Sequence, residues 1–199
     1  MNDSLFKFLL VALLIAFFVV RAYHHRKAVL EGGKIEYKEK HLKLLKAMRL
    51  GLFLIFLPAF IAWLIQPQWI AFAALPFPDW LRWAGVTLGF ANLPLLWWIE
   101  ATLGKNFNTT LHIREGHTLV TRGPYRWVRH PMYTSLLVLV IAITLISANA
   151  LIGLPMVLGL SVILINRVDR EEAVMIERFG DEYREYMERT GRFLPRLVG

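Results

Sequence analysis

Two clusters of polar residues in this sequence have the types and spacing for chemistry. The first runs His117-Thr118-Leu119-Val120-Thr121-Arg122-Gly123-Pro124-Tyr125-Arg126-Trp127-Val128-Arg129-His130-Pro131-Met132-Tyr133. Pro131 suits the first position of a helix, which makes His130 its N-cap. A helix start offers unpaired N–H groups and partial positive charge, and both favour a carboxylate or phosphate. Arg129 lies beside that start, and Tyr125 and Tyr133 add hydroxyls and aromatic faces. The second cluster is Arg167-Val168-Asp169-Arg170-Glu171-Glu172, in which Arg167 and Glu171 are four apart and share a helix face. It follows an apolar run, where a buried acid is costly unless it meets a cation or hydrogen-bond donors. Both clusters have a plainer reading. Trp, Tyr, Arg and His gather at membrane surfaces without catalytic duty, and an exposed ion pair contributes little.

Several chemistries are excluded. The chain has no cysteine, hence no thiolate nucleophile, disulfide framework or Cys-based metal site. His24, His25, His41 and His112 lack metal-ligand spacing, so no metal is expected. There is no Gly-rich nucleotide loop. Asn106 and Asn108 flank Phe107 as pocket contacts or turn formers. Glu100, at the end of an apolar run, reads as interfacial or as facing a cavity.

The elements that must position these clusters are membrane helices. Of 199 residues 56% are apolar, gathered into five blocks: Leu5–Val20, Ala47–Ile65, Trp80–Ile99, Met132–Ser147 and Leu151–Ile165. A bilayer core takes about 20 residues of helix, so the second and third blocks span easily, while the others sit near or below the limit. Leu5–Val20 has no basic flank before it and no clear cleavage site, and reads as a retained span. Lys7 can snorkel from it to the surface. Ser147–Ala150 is a short break, predicting a tight antiparallel hairpin of the last two spans. Gly85 and Gly89 have the small-xxx-small spacing of close helix packing. The reading is an all-α, polytopic helical membrane protein. It forms a single membrane domain over 1–199, with three spans in 1–100 and the polar clusters, last two spans and C-terminal helices in 101–199.

The net charge of +8 is topological. Lys and Arg crowd residues 21–49, the segment after the third span and the C-terminal tail, whereas Gln66–Asp79 and Ser147–Ala150 contain none. That alternation predicts an N-terminus outside and a cytoplasmic C-terminus and active site. A nucleic-acid partner is not expected. Val168–Arg189, with Val174, Ile176, Phe179, Tyr183 and Met187 at helical spacing, reads as amphipathic helix. Gly180 should end one helix there, with Asp181 capping the next.

Taken together, the motifs resemble the isoprenylcysteine carboxyl methyltransferase family, particularly its short prokaryotic members. The resemblance rests on His-x-Leu-Val at 117–120, Gly-x-Tyr at 123–125, Arg-His-Pro-x-Tyr at 129–133 and the acidic run after Arg167. Phe-Gly-Asp-Glu-Tyr at 179–183 and Thr190-Gly191-Arg192-Phe193-x-Pro195 complete it. The set covers roughly Lys105 to Pro195 in the family's order and spacing. It implies a membrane methyltransferase using S-adenosylmethionine, with cofactor contacts from His117, Thr118, Leu119, Val120, Tyr125, His130, Pro131, Met132, Tyr133 and Glu171. It also implies that Arg167 binds the substrate carboxylate and serves catalysis, and that Thr110 or His112 supplies a further polar cofactor contact. The expected acceptor is a prenylated or otherwise lipophilic molecule reached through membrane lipid. A carboxylate acceptor is already ionised at neutral pH, so no general base is nominated. Other readings are a phospholipid-amine or thiol methyltransferase, a NADPH-dependent membrane reductase with a similar C-terminal layout, and a non-catalytic protein binding anionic lipid.

Overall fold

The structure is a computed structural model that describes residues 3–31, 35–38, 42–106, 112–114 and 118–196, with backbone alone at 35–38, 42–46, 48–49 and 112–114. His117, Thr110, Phe107 and Asn108 lie outside the described residues, as does the side chain of His112. Among the described residues six α-helices form in chain order: α1 (Asp3–Glu31), α2 (Leu42–Ile65), α3 (Asp79–Leu103), α4 (Pro131–Ser147), α5 (Ala150–Phe179) and α6 (Asp181–Arg189). All five apolar blocks are helical, as expected. Three helical stretches, Asp3–Glu31, Asp79–Asn106 and Ala150–Phe179, are long and apolar enough to cross a membrane, and Leu50–Ile65 and Pro131–Ser147 are shorter apolar helices. The first and last spans are longer than the apolar blocks because helix continues into polar sequence, to Glu31 and to Phe179. Two short strands unforeseen in the sequence, β1 (Ile35–Lys38) and β2 (His112–Arg114), pair antiparallel with Tyr37 opposite Ile113.

The chain divides into two compact units. One comprises Met1–Phe17, His41–Leu93 and Leu136–Ile163. Phe6, Leu10, Leu13, Ala142, Ile143 and Ile146 are fully buried in it. Gly85 and Gly89 admit α4 closely: a Cβ at Gly85 would lie 2.7 Å from Leu145 Cβ and 3.1 Å from the Ala142 carbonyl. The small-residue spacing therefore does mark a packing face. Arg82, buried in this unit, donates to the Ile146 carbonyl (3.1 Å) and to Asp3 (2.6 Å), with its guanidinium over the Phe6 ring. Two donors' worth of partners make its burial tolerable. Only Ala148 and Asn149 separate α4 from α5, and Asn149 closes the turn by accepting from the Leu151 N–H and donating to the Ile70 carbonyl. Phe8, Ile15, Leu54, Phe72 and Leu158 are exposed. In water such an apolar surface would be a liability; in a bilayer it is the lipid-facing side.

The other unit comprises Phe18–Lys40, Pro94–Ser135 and Leu164–Gly199. It holds the ends of α1 and α3, the start of α4, the polar half of α5, α6 and the tail, and hence both polar clusters. Here the helix break falls at Gly180, whose φ of 55° suits glycine. Gly180 itself occupies the cap position of α6 and Asp181 is already helical, correcting the cap expected from the sequence.

Candidate functional site

The second unit is organised around Glu172, which is 6% exposed. Its Oε1 accepts from Arg129 Nε at 3.0 Å and faces His130 Nε2 at 3.1 Å, and its Oε2 accepts from Arg192 at 2.8 Å. Arg129 also donates to the carbonyls of Met187 and Thr190, at the end of α6, where a cation suits the helix dipole. The chain around it is laced: His130 N–H donates to the Arg192 carbonyl (3.0 Å), Arg129 N–H to the Gly191 carbonyl (2.8 Å) and Gly191 N–H to the Trp127 carbonyl (3.1 Å). Thr134 Oγ1 donates to the Phe193 carbonyl at 2.6 Å. Residues 191–193 thus lie across the start of α4, with Val128 and Gly191 in parallel pairing.

Pro131 begins α4 and His130 precedes it, its carbonyl accepting from the N–H of Tyr133 and Thr134, as the spacing predicts. The His130 ring, however, is committed to Glu172. Upstream, Pro124 begins a short 3-10 turn over 123–126, entered through Gly123 at φ 57°. A Cβ at Gly123 would approach Thr102 Oγ1 at 2.8 Å, so glycine is needed both for the conformation and for contact with α3. The turn is pinned from below: Tyr186 OH donates to the Tyr125 carbonyl at 2.6 Å, and Thr190 Oγ1 to the Tyr186 carbonyl at 2.6 Å. Burial pushes the Tyr125, Tyr183 and Tyr186 phenols well above their ordinary value.

Beside this scaffold lies the chemically available set. Tyr133 OH donates to Glu171 Oε2 at 2.9 Å, and Arg167 Nε stands 3.8 Å from the same oxygen. Both described contacts fall on Oε2; none falls on Oε1, and Glu171 is partly exposed where Glu172 is buried. The two adjacent acids therefore divide: Glu172 is a structural hub and Glu171 faces outward. Arg167 is 8% exposed. A pair that the sequence did not join, Arg21 and Glu100, meets at 3.0 Å with Glu100 wholly buried. Arg21 is within electrostatic reach of Arg167, and Tyr125 within reach of Glu171, Glu100 and Tyr133. Of the remaining candidates, Thr118 meets Asn106, whose amide donates to the Thr118 carbonyl (3.2 Å) and hydroxyl (3.3 Å). Leu119, Val120 and Met132 are half-buried, and Pro131 is buried. Among the described residues no hydrogen bond joins Thr118–Val120 to Tyr133 or Glu171, and no group of His, Asp and Glu could hold a metal.

A pair of charges such as Arg21 and Glu100 leaves little trace in the pattern of one sequence. One signal was available: each stands immediately after an apolar block, Arg21 after Val20 and Glu100 after Ile99, so the two share a depth in the membrane.

Helices of this length and apolarity, with polar groups collected at their ends, define a polytopic helical membrane protein. Residues 85–177 match the model of the Isoprenylcysteine carboxyl methyltransferase (ICMT) family, a stretch that includes the motifs at 117–133 and the acidic run after Arg167. The human Protein-S-isoprenylcysteine O-methyltransferase is 35% identical over 100 residues, covering 49% of this chain and 35% of its own. The Bacillus subtilis Uncharacterized protein YpbQ is 26% identical over 142 residues, covering 67% of this chain and 77% of its own. Among solved structures, the eukaryotic intramembrane Ras methyltransferase ICMT aligns with a TM-score of 0.56 at 25% identity, over 80% of this chain and 55% of that one. The chain thus spans between a third and a half of the length of the curated O-methyltransferases it matches, for instance 35% of the human and 50% of the rice protein.

Proposed function

We propose that this chain is an S-adenosylmethionine-dependent membrane methyltransferase whose acceptor is the carboxylate of a lipophilic, isoprenylcysteine-like molecule. The observation that carries the reading is the meeting of Tyr133, in the first turn of α4, with Glu171 of α5, one turn from Arg167, with Glu171 Oε1 outside the described contacts. The relatives named Protein-S-isoprenylcysteine O-methyltransferase support the reaction class.

The residues present fit the cofactor. Glu171, oriented by the Tyr133 hydroxyl, offers a carboxylate oxygen to hydroxyl or ammonium donors. Tyr125 and the backbone of 117–120 would contribute the remaining contacts, with Pro131 and Met132 lining the start of α4. His130 would act through Glu172, holding that start in place. When bound, S-adenosylmethionine supplies a methyl group activated on a sulfonium.

Arg167 would hold one oxygen of the acceptor carboxylate and leave the other to attack. Arg167 and Glu171 would move no proton, because the acceptor carboxylate is already ionised at neutral pH. The protein's contribution is to hold the reacting atoms in line in a water-poor site. The basic segments at 21–49, 105–129 and 167–196 support a cytoplasmic placement of this end of the molecule, with the N-terminus outside.

The test is methyl transfer from labelled S-adenosylmethionine into a farnesylcysteine analogue, comparing wild type with Glu171→Ala. The variant should lose incorporation, and equal incorporation by both would remove the site.

A further inference from the structure

A cavity of about 210 Å³ lies in the second unit between the polar end of α1 and the end of α3, and none of the residues assigned above lines it. Tyr23, His24 and Lys27 of α1 and Trp97 and Ala101 of α3 form its walls, with Gly104 just beyond. Tyr23 stacks on Trp97 at 5.2 Å, and the His24 ring meets Trp97 edge-on at 4.6 Å. His24 is 5% exposed, and its Nε2 is buried without a partner among the described residues. A nitrogen left so carries its full desolvation cost, and a phenyl ring of similar shape would pack there at less expense. An imidazole kept in such a place points to a ligand. The torsion that turns the ring is broad, so a modest rotation carries Nε2 to the cavity.

The polar groups around the cavity decide what enters it. Lys27 and Trp97 can only donate hydrogen bonds, Tyr23 and His24 can each donate one, and no acid is among the lining residues described. Lys27 is exposed, three residues from His24 on the same helix face and within electrostatic reach of it, and no acid among the described residues pairs with it. Such a set takes an anion. The depth of the cavity says which kind. Trp97 belongs to the apolar block that ends at Ile99, while Gly104 lies about 10 Å further along the chain axis at the helical rise. On α1 the apolar block ends at Val20, just before Tyr23. The cavity therefore runs from the edge of the hydrocarbon toward water, the zone of lipid headgroups where Trp and Tyr collect. Phe18 and Val19, about one turn nearer the bilayer centre, are exposed and continue an apolar face suited to acyl chains.

We propose that this cavity binds the phosphate of a membrane phospholipid, held by Lys27 and the His24 Nε2–H, with the glycerol portion against Tyr23 and Trp97. The proposal is independent of the roles given to Arg167 and Glu171. A phosphate seated there ties the polar end of α1 to the end of α3.

The experiment uses the full chain in a neutral detergent and reads its thermal midpoint against three additions: dioctanoyl phosphatidylglycerol, dioctanoylglycerol (the same chains without phosphate) and inorganic phosphate. Wild type should be stabilised, saturably, by the phospholipid alone. In Lys27→Gln and His24→Phe the lipid concentration giving half the maximal rise should increase about tenfold, the scale of a hydrogen bond to a charged group. Without lipid, His24→Phe should melt no lower than wild type, because it removes an orphan polar group from the interior. Arg26→Gln, beside Lys27 but outside the cavity lining, should leave the half-maximal concentration unchanged. Equal stabilisation by dioctanoylglycerol would mean apolar contact alone, and equal stabilisation by inorganic phosphate a site for the free anion. A loss in Arg26→Gln equal to that in Lys27→Gln would mean diffuse attraction to a basic surface, and a lower lipid-free midpoint for His24→Phe a packing role for the imidazole. Each of these, or an unchanged half-maximal concentration in both cavity variants, would overturn the inference. The comparison of the three additions on wild type needs no variant and stands as a test should either fold poorly.

Discussion

Arg129 and Glu172 stand 43 residues apart in the chain and 3.0 Å apart in space, and each is about nine-tenths buried. The pair is the keystone of the unit that carries the candidate site, because Arg129 also reaches the end of α6 and Glu172 also takes Arg192 and faces His130. Glu172→Ala leaves the Arg129 guanidinium buried without its counter-ion, a change that costs about 3–5 kcal/mol where charges are fully desolvated. A fall in thermal midpoint of the purified protein is expected, well beyond that of Glu185→Ala on the exposed face of α6. Equal midpoints would show that the hub carries no stability.

Glu171→Gln separates the outward acid from its neighbour. The fold should persist, since Glu171 is partly exposed and its Arg167 contact is long. S-adenosylmethionine binding, measured by calorimetry, should weaken by about tenfold, the scale of a lost hydrogen bond to a charged group. Tyr133→Phe removes the hydroxyl that orients the carboxylate and should weaken binding in the same direction by less.

The buried tyrosines make the molecule sensitive to alkali. Tyr125, Tyr183 and Tyr186 ionise in the unfolded chain near pH 10 but stay protonated in the folded one. The folded state then binds more protons than the unfolded, so stability is intact below about pH 10 and falls as pH rises beyond it. Tyr186→Phe should lower stability at neutral pH by about 1–2 kcal/mol, through the lost bond to the Tyr125 carbonyl, and flatten the alkaline slope. Parallel pH profiles for wild type and variant would refute this.

Two glycines give an internal control for helix packing. Gly85→Ala forces a Cβ against Leu145 and the Ala142 carbonyl and should cost about 1–3 kcal/mol. Gly51→Ala meets nothing within 4 Å and should be neutral or stabilising by up to about 1 kcal/mol. The measurement is thermal or denaturant unfolding in the same detergent, and a larger loss at Gly51 would contradict the packing described.

Much of the helical framework was legible because an apolar block in lipid must satisfy its own backbone hydrogen bonds, which demands a helix. The end of α1 was not, since the helix runs on past Val20 to Glu31, and neither was the unbroken run of α5 from the last apolar block into the amphipathic segment that ends at Phe179. The Pro131 start and the Gly180 break were legible because each depends on one residue's backbone preference. The division of labour between Glu171 and Glu172 was not. Adjacent residues on a helix point about 100° apart, and which one faces the core is decided by Arg129 and Arg192, far off in sequence. The same holds for Arg21 and Glu100: each reads as an ordinary interfacial charge until the fold brings them together. The tail was read as a motif, but its pairing with 127–130 needs tertiary structure to appear.

That pairing has a bearing on how the protein is made. A chain leaves the ribosome from its N-terminus at about 5–20 residues per second. Arg129 and Thr134 reach their carbonyl partners only in residues lying 61 and 59 positions further on. All five apolar blocks have therefore emerged before the polar end of α4 can find its strap. For several seconds a nascent chain would carry a complete set of membrane helices and an unfinished site, with Arg129 and His130 still hydrated at the bilayer surface. Ordering of the candidate site is thus set to be one of the last events of biogenesis, separate in time from insertion.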